Sequence, residues 1–212
     1  MRVENIITQA FDGIYLDRGI QNLRGLMVHR VGMDLVASTA RIIGHDAPTL
    51  CRAFQGKIPE WVEAARAVGY QNPYTVIIGG DGGPREFNGW IWQCLPLDEL
   101  GYHARAWSRG YIGIACIGDF RVRPPSRAQR SALLCTLAQL CARFGMNPYK
   151  AVKGHGEVPE AHDGSKAPGK PYACPGDLLD MDLLRDDTMQ IMKSRAILGL
   201  SNTDFQLSQE KN

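Results

Sequence analysis

No stretch of this chain reaches the ~18 consecutive uncharged apolar residues that a membrane span requires. Nor does either sign of charge dominate: 24 basic against 22 acidic residues leave a formal charge of +2. That near-balance, with no basic patch, argues against nucleic acid as a partner, because polyanion binders show a strong basic excess. Internal repeats and low-complexity tracts are missing too. The six cysteines include no CxxC pair and no regular spacing, so a disulfide framework is not expected. The N-terminus, MRVENIITQAFDG, has acidic residues at Glu4 and Asp12 and no apolar run before a small-residue cleavage site. It does not read as a secretory signal, so synthesis in the cytoplasm and exit by another route are expected.

What is there is an ordinary globular composition, 44% hydrophobic and 22% charged over 212 residues. That is enough to bury a substantial core in one domain with extensions. The pattern predicts an N-terminal arm over residues 1–23, a main domain over 24–185, and a C-terminal helix and polar tail over 186–212. "LRGLMVHRVG" reads as a buried strand ending at His29, and "DLVASTARII" as a short helix. Residues 44–57 read as a loop, and "IPEWVEAARAVG" as a helix with Pro59 near its start and Gly69 at its end. "YTVIIGGDGG" is a β-branched strand running into a glycine turn, and "GWIWQCLPL" is another strand. "YIGIACIGDF" has hardly a polar residue, so it is expected at the centre of a sheet covered on both faces.

"SRAQRSALLCTLAQLCARFG" is the clearest helix, with Ser126 as N-cap and Leu133, Leu137, Leu140, Cys141 and Phe144 on one stripe. "AVKGH" reads as a short strand delivering His155, and "PGDLLDMDLLRDDTMQIMKSRAIL" as one C-terminal helix or two. Strands mixed with helices, without strict alternation, predict an α/β fold: a central mixed sheet flanked by helices.

Several polar features have plain readings. "GGDGGPREFNG" lacks the Gly-Lys-Ser/Thr ending of a phosphate loop and opens no helix, so it reads as a turn. His45 and His162 sit beside Asp46 and Asp163 in polar loops and read as solvated. Cys116, Cys135 and Cys141 lie in apolar patterns and read as small buried hydrophobes. Of Trp61, Trp90, Trp92 and Trp107, which could stack on sugars or fill the core, Trp107 is the best candidate for a binding groove.

One segment resists that treatment: "KGHGEVPEAHDGSKAPGKPYACPG", residues 153–176. It joins a strand-end histidine, His155, to a cysteine, Cys174, by a long Pro- and Gly-rich connection of a kind that is uncommon unless functional or disordered. A single histidine at a strand end is more often a core residue than a ligand, and a single loop cysteine is usually inert. Together, His29, His155 and Cys174 can converge at one edge of a sheet. Two neutral imidazoles and a thiolate, with a fourth position for water, form an accepted catalytic zinc set.

Four pieces of the sequence resemble, in order, those of zinc-dependent N-acetylmuramoyl-L-alanine amidases, whose fold is shared by amidase-type phage lysozymes and peptidoglycan recognition proteins. "MVHRVG" resembles the family's first-ligand strand, and "PYTVIIGGDG" its Tyr-x-Phe-x-Ile strand and glycine turn. "YHARAWSRGYIGIACIGDF" resembles its His-Ala segment and Ile-Gly-Ile strand, and "KGHGEV…ACPG" its closing His and Cys-Pro-Gly. The similarity runs from about residue 24 to about residue 180.

The resemblance implies a zinc amidase domain with His29, His155 and Cys174 as metal ligands. It places Tyr74 on the active-site tyrosine and His103 on the groove wall, where it and Trp107 are expected to meet substrate. It also implies cleavage of the bond between N-acetylmuramic acid and L-alanine, endolysin-like lysis of the cell wall, and a monomer whose partner is peptidoglycan.

There are departures from the family pattern. Ser108 stands where relatives carry Asn. Ala115 stands where some carry a catalytic Glu, which makes Tyr74 the expected partner of the water. Tyr172 stands two residues before the cysteine, where many carry Lys or Thr. If residues 170–174 run extended, Tyr172 and Lys170 share the face of Cys174, with Tyr172 as oxyanion donor and Lys170 as electrostatic help. Three alternatives stay open. They are a non-catalytic muropeptide-binding module, from which the family typically loses the cysteine, a structural virion component, and a Cys174–His155 thiol peptidase.

Overall fold

The computed structural model of the protein describes residues 3–5, 19–31, 74–80, 88–158 and 174–198. The helices expected over 34–43 and 58–69, the loop over 44–57, His45, His162, Trp61, Lys170 and Tyr172 lie outside the described residues. Six strands form one mixed sheet: β1 (Val3–Asn5), β2 (Gly25–Val31), β3 (Val76–Ile78), β4 (Ile91–Gln93), β5 (Tyr111–Ile117) and β6 (Val152–Gly154). Their order across the sheet is β1-β4-β3-β5-β2-β6. Only β3 and β4 pair antiparallel. Residues 3–5, within the segment expected as an arm, therefore supply an edge strand.

β5 lies inside the sheet between β3 and β2, and all seven of its residues are buried. Its unbroken apolar run is what a strand covered on both faces requires. Side chains alternate across each strand, and this alternation sorts the sheet into two faces. Leu26 and Val28 of β2, Val76 and Ile78 of β3, and Ile112, Ile114 and Cys116 of β5 join one large core cluster. They meet Leu133, Leu137, Leu140 and Cys141 of α1 (Arg127–Arg143) and Leu184 of α3 (Met181–Ile197) there. The short α2 (Pro148–Ala151) links α1 to β6. Met27 and Tyr111 point to the opposite face, with Ala104, Val158 and the half-buried Trp107.

α1 begins where its sequence says. Ser126 is the N-cap, and its hydroxyl accepts from the Gln129 amide at 3.0 Å. Gln129 itself is buried but fully employed, since its side-chain amide donates to the carbonyls of Ile78 (3.2 Å) and Ile117 (2.9 Å) at the ends of β3 and β5. α3 is one helix, capped by the Asp180 carboxylate, and it runs unbroken through residue 185. An Arg130–Asp187 ion pair at 2.5 Å ties α1 to α3. Among the described residues no helix is long and apolar enough to cross a membrane.

β2 differs from the sequence-based expectation in one respect: it does not end at His29. Arg30 and Val31 continue in register with Cys116 and Ile117 of β5, and Gly118 donates to the Val31 carbonyl at 3.3 Å. The pairing with β5 carries the strand past His29 through Val31. His29 is therefore held inside a hydrogen-bonded ladder, not on a fraying end.

Candidate metal centre

His29 lies on the face of the sheet opposite the helices, in register with Ala115 of β5, which in turn pairs with Ile77 of β3. Its imidazole is only 1% exposed. Burial, reinforced by the neighbouring His155 and His103, holds its pKa well below the ordinary histidine range. A neutral imidazole keeps a lone pair available to a metal across the physiological range.

His155 follows β6 directly and opens a single 3-10 turn, His155–Glu157. That turn is anchored from two sides. The Glu157 carboxylate accepts from the Gly154 amide at 2.7 Å, and Arg185 of α3 pairs with the same carboxylate oxygen. Arg185 also donates to the Val152 carbonyl at 2.9 Å, so helix, strand and turn are fastened by one guanidinium. On the other side, the Gly156 amide donates to the Cys174 carbonyl at 2.6 Å. The His155 turn and the Cys174 segment thus share a direct backbone bond.

Cys174, joined to Pro175 by a cis peptide, is buried. The segment after it is pressed onto the end of β5. Gly176 has φ +118°, and a Cβ there would come within 2.5 Å of the Phe120 backbone. Only glycine fits both demands. The Leu178 amide then donates to the Phe120 carbonyl at 2.9 Å.

These placements bring His29, His155 and Cys174 together, with one donor atom from each all within 4.8 Å of one another. The His29 and His155 rings are 4.5 Å apart, and Cys174 Sγ lies 3.9 Å from His29 Nδ1. Tetrahedral zinc, with bonds of about 2.0–2.1 Å to nitrogen and 2.3 Å to sulfur, sets donor separations of roughly 3.3–3.6 Å. Cys174 Sγ and His29 Nδ1 already lie within a few tenths of an ångström of that spacing, and the widest donor pair, at up to 4.8 Å, would have to draw in by about 1 Å to hold the ion. Among the described residues this is the sole group of three or more His, Cys, Asp or Glu close enough to hold a metal.

Around the cluster stand two further rings. Tyr74, half-buried, lies with its ring centroid 5.2 Å from that of His29. His103 is buried, and both of its ring nitrogens meet protein atoms: Nδ1 lies 2.9 Å from His29 Nε2, and Nε2 lies 3.0 Å from the Tyr111 carbonyl. Trp107 packs on Tyr111 at 5.6 Å and borders an open cleft of about 560 Å³ with Arg24, Arg109 and Tyr111. Arg24 and Tyr111 sit where β2 and β5 begin, so this cleft flanks the end of the strands away from the cluster.

Sequence reasoning passed over several contributors. Ser108, noted only as a departure, is 1% exposed, and its hydroxyl accepts from the amides of His103 (3.1 Å) and Ala104 (2.8 Å). Gly113 makes room for the His103 ring, since a Cβ there would lie 2.5 Å from His103 Cδ2. Its signal was the Gly inside "YIGIACI", and Glu157 and Arg185 gave none.

Cys116 and Cys141 do not compete for a reactive role. Burial pushes Cys116 far above the usual thiol range, with Cys174 adding to the shift, and it pushes Cys141 up to about 12. Nor does Cys174 lie at a helix start, since α3 begins only at Met181.

With this geometry in place, comparison with known proteins becomes informative. The family model for N-acetylmuramoyl-L-alanine amidase matches residues 20–177. A human N-acetylmuramoyl-L-alanine amidase is 31% identical over 113 residues, which is 53% of this chain and 16% of that protein. The chain thus spans about a sixth of the length of that curated relative. Among solved structures, Drosophila PGRP-LB is similar with TM-score 0.57 at 19% identity, covering 86% of this chain and 92% of that one. The Ph2119 endolysin from Thermus scotoductus MAT2119 bacteriophage Ph2119 gives TM-score 0.56 at 17% identity, covering 88% and 99%. At such identities the likeness is one of fold.

Proposed function

This chain belongs to the N-acetylmuramoyl-L-alanine amidase family, and from that membership we propose that it is a zinc hydrolase acting on peptidoglycan. The bond cut is the amide between the lactyl group of N-acetylmuramic acid and L-alanine. The observation that carries catalysis over binding alone is the donor set: two imidazoles and a thiol gathered within 4.8 Å. A surface that only recognised muropeptides would need no such set.

His29, His155 and Cys174 would hold the ion, leaving a fourth position open. Zinc bound there supplies Lewis acidity toward the scissile carbonyl and a water acidified toward a pKa of about 7. One thiolate and two neutral imidazoles leave the site a net positive charge. Ala115, beside His29 in register, offers no carboxylate to take a proton. Tyr74, whose ring stands against His29, is the group to orient the attacking water or donate to the developing oxyanion. With the ion held there, the oxygen of the water would end in the lactyl carboxylate, and one of its protons would pass to the L-alanine nitrogen as the C–N bond breaks, giving a free amine. Tyr172 and Lys170 are proposed as further help to the oxyanion, and His103 and Trp107 as the walls nearest the sugar and peptide. Lysis of walls in the manner of an endolysin is the role this chemistry suits, and the fold likeness to the Ph2119 endolysin supports it.

The test is zinc content of the purified full chain together with turbidity loss of purified cell walls, with and without chelator. Expected are one zinc per chain, chelator-sensitive clearing, and released peptides beginning with a free L-alanine amine. Retention of muropeptides without release of that amine would instead show a binding module. Clearing by metal-free protein would overturn the zinc reading and favour the thiol.

A further inference from the structure

Three polar groups stand in a line behind the cluster: the Tyr111 carbonyl, the His103 imidazole and the His29 imidazole. A carbonyl oxygen only accepts. At 3.0 Å from it, His103 Nε2 must therefore carry that ring's proton. The neutral ring has one proton, so Nδ1 presents a lone pair. That lone pair lies 2.9 Å from His29 Nε2, which must then be the N–H donor. With its own single proton on Nε2, His29 has its lone pair on Nδ1. Nδ1 is the nitrogen 3.9 Å from Cys174 Sγ, on the side of the metal cluster.

We propose that His103 is a positioning residue: it passes the constraint of the Tyr111 carbonyl to His29 and so fixes Nδ1 as the metal-donor atom. The inference rests on the metal-centre reading for its consequence, though the proton arrangement itself exists without the ion. Ligand histidines whose second nitrogen is held this way gain both orientation and basicity. The surroundings are built to keep His103 in place. Ser108 clamps its backbone through two accepted hydrogen bonds, and the absence of a side chain at Gly113 leaves the ring its seat on β5. Both ring nitrogens meet the protein's own atoms at 8% exposure, so the polar atoms of His103 act inward on His29 and Tyr111, and only its ring edge is left to border the groove.

The experiment has two arms on the full chain. First, long-range proton–nitrogen correlation of the metal-free protein with labelled histidine should show His29 as the Nε2–H tautomer, with Nδ1 unprotonated. Observation of a proton on His29 Nδ1 would overturn the proposal, whether or not the protein binds zinc.

Second, zinc affinity is measured by chelator competition in two isosteric variants. His103→Asn puts a carbonyl oxygen near the Nδ1 position, keeping the acceptor for His29 but losing the donor to Tyr111. His103→Gln can reach Tyr111 but offers nothing at Nδ1. The proposal expects Gln to weaken zinc binding by about 10–100-fold and Asn to restore most of it. A residue that merely braced the start of β5 would give the opposite order, and equal losses would likewise sink the idea. Failure of wild type to bind zinc at all would defeat the metal reading while the tautomer result still stood.

Discussion

In the proposed mechanism Tyr74 and Ala115 would set the division of labour in the site. Ala115 occupies the position beside His29 where a carboxylate could take a proton, and it has none to offer. The phenol of Tyr74, its ring centroid 5.2 Å from that of His29, is the polar group among the described residues proposed for that work. Tyr74→Phe keeps the ring and removes the hydroxyl. It should lower turnover by roughly 10²–10³-fold, the usual effect of deleting one preorganised donor, while zinc content stays at wild-type level. Loss of zinc in that variant would mean the ring holds the ligands, not the reaction. Cys174→Ala should do the reverse and empty the site, because two imidazoles alone make a weak tetrahedral set; metal analysis of the purified variant measures this.

A third residue-scale expectation concerns acid. Asp119 is pulled down to about 2, chiefly by its hydrogen bonds from Arg121, with Arg30 adding a charge at 3.2 Å. Its folded pKa thus lies below the unfolded value of about 3.9. The stabilisation is present above about pH 4 and is lost as pH falls toward 2. Asp119→Asn should therefore be less stable than wild type at pH 7, with the gap closing between pH 4 and 2. A gap that stays constant in denaturant titrations across that range would assign the loss to packing.

At the scale of elements, what counts is how each ligand's local structure is held. The ladder of β2 with β5 holds His29, and the Arg185–Glu157 fastening holds the His155 turn. Removing the guanidinium by Arg185→Leu takes the ion-pair partner from the exposed Glu157 carboxylate, which keeps the Gly154 amide, and leaves the Val152 carbonyl of buried β6 short of a donor. An unsatisfied buried group of that kind costs about 1–3 kcal/mol. The variant should melt lower and bind zinc several-fold more weakly, as read by calorimetry and chelator competition. A lower melting point with unchanged affinity would show that the turn is positioned by its bond to Cys174 alone.

Much of this level was legible beforehand, because it follows from local rules. The buried run of β5, the Ser126 cap and the stripe of α1 are written in periodicity and capping chemistry. The parts that were not legible depend on distant partners. β2 outruns His29 because β5 offers it two more register positions. Ser108 and Gly113 matter because the His103 segment, five and ten positions earlier, turns back onto them and its ring then spans to His29, a contact across 74 positions. Arg185 reaches a carboxylate 28 positions away, and no spacing rule announces it.

At the scale of the whole molecule, the described residues differ between the two faces of the sheet. One face carries the large apolar cluster shared by β2, β3, β5, α1 and α3, and none of the three clustered ligands belongs to it. The three proposed ligands stand on the other side: His29 within β2, His155 just past the end of β6, and Cys174 on a segment pressed against the end of β5. Burial of that core, at about 25 cal/mol per Å², does not depend on whether an ion is bound. Removal of zinc should therefore abolish wall cleavage and leave the fold standing. Far-UV circular dichroism of chelated protein should match the loaded form. The melting temperature should fall only by what ligand linkage supplies, about 2.7 kcal/mol when free zinc is a hundred times its Kd. Restoring zinc should return activity without a refolding step. A structural ion behaves otherwise, since small domains that rest on one unfold when it is chelated. If the chelated chain lost its helical signal, or regained activity only through denaturation and refolding, the ion would belong to the architecture. The separation of core face from reactive face would then be wrong.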